Sequence, residues 1–201
     1  MDFPLFETLA IVDGQVQNID YHQYRYQNSL RKFYPNQITQ IIDFATLIPL
    51  ALASFLQHRA IIGLPNLLRC RVDYNATHYQ VGFFAYVKKS YQYFTPVVCD
   101  EINYPLKFAN RHIFTKLLAQ KGIADEVMII KQGFITDCTI GNSIFKQRGE
   151  CFTPSTPLLQ GTQRAKLLAE QKVSVREIRL QSLDKFEEVR LINALNGLEM
   201  L

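Results

Sequence analysis

The chain has 201 residues, 48% hydrophobic and 20% charged, which is enough for one large domain or two small ones with a real core. Its net charge of +4, from 22 basic and 18 acidic residues that form no basic block, gives no case for a nucleic-acid partner. The composition excludes disordered, collagen-like and disulfide-scaffold classes, and Cys70, Cys99, Cys138 and Cys151, none in a CxxC, read as free thiols of a reducing compartment.

The first seven residues, MDFPLFE, lack the basic start and apolar run of a signal peptide. Residues 5–12 alternate as a strand, Asp13-Gly14 is a hairpin turn, and 15–18 return. Asp20 is placed to cap a helix over 21–33. Residues 37–57 have helical period, with Pro49 interrupting or restarting it. Their longest apolar run, 44–56, is too short to span a membrane, so a cytoplasmic protein with no membrane partner is expected. Residues 67–74 and 79–87 predict a second hairpin. Residues 88–105, aromatic and polar with Pro96 and Pro105, read as a bridge between two halves. Beyond it the pattern gives a helix at 109–120, strands at 126–131 and 134–139, and a strand pair at 142–146 and 150–152. A helix at 161–171, a strand at 173–179, a helical turn at 184–187 and a strand at 189–194 complete it. Helices and strands mix without strict alternation, so the class is α+β.

Several familiar sites are missing. No glycines form GxGxxG or a P-loop, there is no GxSxG, and His22, His58, His78 and His112 have no metal-ligand spacing. The acidic pairs Asp100-Glu101, Asp125-Glu126 and Glu187-Glu188 are sequence neighbours whose side chains diverge, as on a solvated surface.

What remains is an ordered series. Phe6-Glu7-Thr8 opens the first strand, and His22-x-x-Arg25 follows. Then come Lys107-Phe-Ala-Asn110-Arg111, Thr-Asp137-Cys-Thr139-Ile-Gly141-Asn142, Phe152-Thr-Pro, Gly161-Thr162-Gln163-Arg164 and Asn193-Ala194-Leu195. This series resembles the class IV pyridoxal-phosphate enzymes, and most closely their 4-amino-4-deoxychorismate lyase branch, shortened at both ends.

The resemblance implies a cofactor, pyridoxal 5'-phosphate, whose ring acts as an electron sink. Lys107 becomes the Schiff-base lysine, a role in which burial or nearby cations free the amine lone pair. Asp137 falls where the family carries a glutamate that pairs with the ring nitrogen. Aspartate brings the same charge on a shorter arm. Arg25 matches the phosphate-holding arginine. Thr162 and Gln163, at the start of a helix, would add backbone N–H groups to the phosphate cradle, and Asn193 and Ala194 would close it. Asn142 reads as a turn-locking residue beside the cofactor. Arg111 would lie near the cofactor or on a helix surface. Thr8 matches an active-site threonine of the lyase branch and would help protonate the pyruvate methylene. Arg69 and Arg71 share a strand face and are the candidates for a substrate carboxylate, with a pair of surface arginines as the alternative.

The expected architecture is therefore α+β, a two-domain class IV aminotransferase-like fold with the cofactor in the interdomain cleft. An N-terminal domain at 1–88 and a connection at 89–103 would lead to a cofactor-binding domain at 104–201. The implied activity converts 4-amino-4-deoxychorismate to 4-aminobenzoate and pyruvate, a step of folate biosynthesis, in a homodimer. The alternatives are an aminotransferase for branched-chain or D-amino acids and a degenerate, non-catalytic relative.

Overall fold

The computed structural model describes residues 2–57 and 65–198; His58 of the histidine survey and the last three residues of the expected second domain lie outside them. The chain forms two compact units. The first holds the stretch to Lys88 together with Leu106–Asn110, and the second holds Lys89–Pro105 and the chain from Arg111 onward.

The first unit is a four-stranded antiparallel sheet in the order β2-β1-β3-β4, with β1 Leu5–Val12, β2 Gln15–Val16, β3 Leu67–Tyr74 and β4 Tyr79–Ala85. Asp13 and Gly14 both have positive φ, at 48° and 80°, as the hairpin turn requires. On β3 the alternation is strict: Leu68, Cys70, Val72 and Tyr74 are buried. With Leu5, Leu9 and Ile11 of β1 they meet two helices, α1 Ile19–Phe33 and α2 Phe44–Gln57.

Both helices begin away from their expected starts. α1 begins at Ile19, and Asn18 takes a left-handed φ of 54° ahead of it, a conformation asparagine tolerates. Asp20 sits inside the first turn, where its charge suits the helix dipole. α2 begins at Phe44, not near residue 37. Asp43 caps it, accepting from the Ala45 N–H at 3.1 Å and from the Thr46 hydroxyl. Side chains of α1 take up backbone groups of the stretch before α2, which is not helical. Tyr26 Oη donates to the Gln40 carbonyl (3.0 Å) and accepts from the Ile42 N–H (3.1 Å), while Gln23 takes the Ile42 carbonyl and the Phe44 N–H. Pro49 does not interrupt α2. It costs about 3 kcal/mol inside a helix, and the buried stripe Phe44, Ile48 and Leu52 offsets it.

The second unit is a seven-stranded mixed sheet in the order β10-β9-β8-β7-β6-β5, with β11 paired to β8. Its strands are β5 Phe94–Val98, β6 Glu126–Lys131, β7 Phe134–Cys138, β8 Asn142–Gln147, β9 Glu150–Pro154, β10 Ser174–Arg176 and β11 Glu188–Ile192. β5 lies within the stretch 88–105 that the sequence reads as a bridge, where no strand is expected. It pairs in parallel with β6, and Pro96 is tolerated because β5 is an edge strand. Two helices complete the unit, α3 His112–Leu118 and α4 Thr162–Ala169, with a short 3₁₀ turn at Leu180–Lys185. α3 starts three residues later than expected, because the preceding segment hydrogen-bonds to the edge of β1, with Phe6 N–H to the Lys107 carbonyl and Ala109 N–H to the Pro4 carbonyl. Among the described residues, only β5–β6 and β9–β10 pair in parallel, and the mixed α+β class stands.

Candidate functional site

In the first unit, the free edge of β1 is met by the segment carrying Lys107. Leu5 bridges to Phe108, the Phe6 N–H donates to the Lys107 carbonyl (3.1 Å), and the Ala109 N–H donates to the Pro4 carbonyl (2.7 Å). Antiparallel partners share a sheet face. Lys107 therefore lies on the face of Phe6, Thr8 and Ala10, opposite the helix-covered core.

The register extends that face onto β3, where Asp73, Arg71 and Arg69 pair with Phe6, Thr8 and Ala10. Lys107 Nζ is 4.7 Å from the centre of the Phe6 ring, and the Arg71 guanidinium carbon is 4.0 Å from the same ring. The structure thus brings Lys107, Thr8, Arg69 and Arg71 to one face. The two arginines differ. Arg71 donates Nε and Nη2 to the Asp73 carboxylate at 2.6–2.9 Å. Arg69 stacks on Phe84 at 4.8 Å, and its Nε is buried with no hydrogen-bond partner among the described residues.

Arg25 belongs to the other face. It reaches Glu7 from α1, with Nε to Oε1 at 2.8 Å and Nη2 to Oε2 at 2.5 Å, and His22 Nδ1 meets the same Oε2 at 2.7 Å. Glu7 and His22 are fully buried. Burial alone would push the Glu7 carboxyl up. The charge of Arg25 and the hydrogen bonds from His22 and Arg25 outweigh it and hold the group at about 2. Burial also takes His22 below its usual value, against the pull of Glu7.

In the second unit, Asp137 is buried at the end of β7. Its Oδ1 accepts from Asn142 Nδ2 (2.7 Å) and its Oδ2 from the Leu159 N–H (3.0 Å). Burial raises the carboxyl to about 6, against the hydrogen bonds from Leu159 and Asn142 and the charge of Arg164. Asn142 does more than lock a turn: Nδ2 also donates to the Leu159 carbonyl (3.0 Å), and Oδ1 lies where a Cβ on Gly161 would be, 1.9 Å away.

Gly161 precedes α4 with no side-chain cap, and the first turn, Thr162, Gln163 and Arg164, is buried. Ile192 pairs with Asn142, so Asn193 and Ala194 follow β11 at this same end of the sheet. The Asn193 side chain is committed to its own turn. Its Oδ1 accepts from the Leu195 and Asn196 N–H groups and its Nδ2 donates to the Ile140 carbonyl. Arg111 donates to the Thr139 carbonyl and packs on Phe114 at 4.6 Å, and the Thr139 hydroxyl in turn donates to buried Glu126.

Sequence reasoning missed two residues here. Glu7 was legible as a carboxylate at an inward-facing strand position between Leu5 and Leu9. Arg164 gave no such signal. It is buried and fans out to Thr153 Oγ1, the Pro154 carbonyl and Gln160 Oε1.

Each unit carries groups of the kind pyridoxal phosphate binds: an amine at Lys107 and the guanidinium of Arg25 in the first, and a buried carboxylate at Asp137 and the uncapped start of α4 in the second. Comparison with known proteins agrees. The model of the amino-transferase class IV family matches residues 106–199. The crystal structure of a putative 4-amino-4-deoxychorismate lyase from Haemophilus somnus 129pt is 51% identical, superposes with a TM-score of 0.91, and covers 98% of this chain and 99% of that one. An uncharacterized protein of Haemophilus influenzae is 47% identical over 196 residues, 98% of this chain and 100% of that protein. A putative amino-acid aminotransferase from Mesorhizobium loti shares the fold at 20% identity and a TM-score of 0.79, over 98% of this chain and 97% of its own.

Proposed function

The chain belongs to the amino-transferase class IV family, and from that premise we propose that it converts 4-amino-4-deoxychorismate to 4-aminobenzoate and pyruvate. The observation that carries this reading is the 51% identity, across almost the whole of both chains, to the Haemophilus somnus protein. Lys107, Arg25, Asp137 and the start of α4 are the residues proposed to hold the cofactor. A homodimer working in the cytoplasm, with no nucleic-acid or membrane partner, goes with the reading. Among the described residues no helix is long and apolar enough to cross a membrane.

When bound, pyridoxal phosphate supplies a conjugated ring that accepts the electron pair left when a proton leaves the amine-bearing carbon. Lys107 would hold the cofactor through its amine and would serve as the general base that takes that proton. Asp137, held by Asn142 and the Leu159 N–H, would pair with the ring nitrogen and favour its protonated form. Thr8, on the Lys107 face, passes a proton to the pyruvate methylene as that product leaves. Arg69 takes a substrate carboxylate, since Arg71 is already committed to Asp73.

The test is to supply the purified, cofactor-loaded protein with 4-amino-4-deoxychorismate and follow 4-aminobenzoate and pyruvate. Equal release of both, with no amino acceptor present, is expected. Turnover of branched-chain or D-amino acids that needs 2-oxoglutarate, with no 4-aminobenzoate formed, would replace the lyase by an aminotransferase.

A further inference from the structure

We propose that Glu7 is a positioning residue for Arg25, fixing the plane and direction in which the guanidinium is held for a phosphate; this rests on the cofactor reading above.

Glu7 is an anomaly of β1. Leu5, Glu7, Leu9 and Ile11 alternate onto the face that packs against α1 and α2, and the other three belong to the apolar core. A carboxylate there is costly unless it is paired and hydrogen-bonded. Both requirements are met from one side of α1. His22 and Arg25 are three residues apart, on one helix face, and both reach Glu7.

The geometry is specific. Glu7 is ionised and therefore only accepts, so the proton at the His22 contact sits on Nδ1, and burial keeps the ring neutral at pH 7. One Glu7 oxygen takes Arg25 Nε, and the other takes Nη2 together with His22. This uses the side-on fork of the guanidinium. A planar guanidinium pinned at Nε and Nη2 cannot rotate about its own axis. The direction of the guanidinium is thereby fixed.

Two effects of Glu7 on phosphate binding have opposite signs. As a positioner it helps, because the donors are already aimed. As a counter-charge it hinders, because it neutralises the cation that would attract the phosphate. Removing the Glu7 charge tells them apart.

The experiment measures dissociation constants for pyridoxal phosphate and for pyridoxal, which lacks the phosphate, in the wild type, Glu7→Gln and Glu7→Asp. Melting curves are run alongside. The ratio of the two constants isolates the phosphate contribution, which a purely structural defect leaves unchanged. Positioning predicts that the preference for the phosphorylated form falls on the order of tenfold in Glu7→Gln, while affinity for pyridoxal holds, as losses behind a direct ligand usually do. Glu7→Asp keeps the charge and the fold but is one methylene too short to hold both N–H groups, so it too loses preference. It decides the matter if Glu7→Gln does not fold. An unchanged or increased preference in the folded variant, or an equal loss for both ligands, overturns the proposal. A wild type that binds the two ligands equally overturns instead the reading of Arg25 as a phosphate ligand.

Discussion

The buried carboxyl of Asp137 makes a prediction about stability and pH. The perturbation is Asp137→Asn, which removes the titrating group. Burial raises the carboxyl from its usual 3.8 to about 6 in the folded chain. The folded state therefore keeps the proton over a range in which the unfolded chain has lost it, and stability falls as pH rises from about 4 to about 6. Two pH units at about 1.4 kcal/mol each give roughly 3 kcal/mol. The wild type should lose about that much relative to Asp137→Asn between pH 4 and pH 7, and nothing more above pH 7. The chain has no tryptophan, so urea unfolding of the cofactor-free protein is followed by circular dichroism at several pH values. A stability difference that does not change with pH would refute the argument. So would one that grows in favour of the wild type, which would mean that Arg164 and the two hydrogen bonds outweigh burial.

Other substitutions have equally definite outcomes. Gly161→Ala puts a methyl group 1.9 Å from Asn142 Oδ1, an atom that cannot retreat because Asn142 is held by Asp137 and Leu159. It should cost about 1–3 kcal/mol in denaturant melts and weaken cofactor binding. Arg69→Gln should raise KM for substrate roughly 10- to 100-fold with kcat little changed, as the loss of one charged hydrogen bond implies. Arg71→Gln should raise it less, because Asp73 already occupies that guanidinium. Steady-state kinetics on the two variants compare them directly.

Much of this was legible in the sequence. The Asp13-Gly14 turn, the alternation of β3 and the strands around Gln132-Gly133 are local patterns, and local patterns survive folding. The motif series identified the family because its residues keep their order and spacing. The failures came from contacts distant in sequence. Residues 37–43 have helical period, yet Tyr26 and Gln23 of α1 take their backbone groups and they form no helix. Phe94–Val98 carries a proline that argues against a strand, and only its position at a sheet edge permits one. Lys107 reads as the approach to a helix, but its segment is captured by the edge of β1. The pairing of Glu7 with Arg25 and His22 links a strand to a helix, and no spacing rule announces it.

The central claim is that Lys107 binds pyridoxal phosphate covalently. The most direct measurement is the absorbance spectrum of the protein after addition of pyridoxal phosphate, followed by borohydride reduction and peptide mapping, for the wild type and Lys107→Ala. The account predicts a yellow wild type that borohydride fixes as a cofactor-bearing peptide containing Lys107, and a variant in which neither the colour nor the labelled peptide forms. A colourless wild type, or a label on another lysine in both proteins, would contradict it.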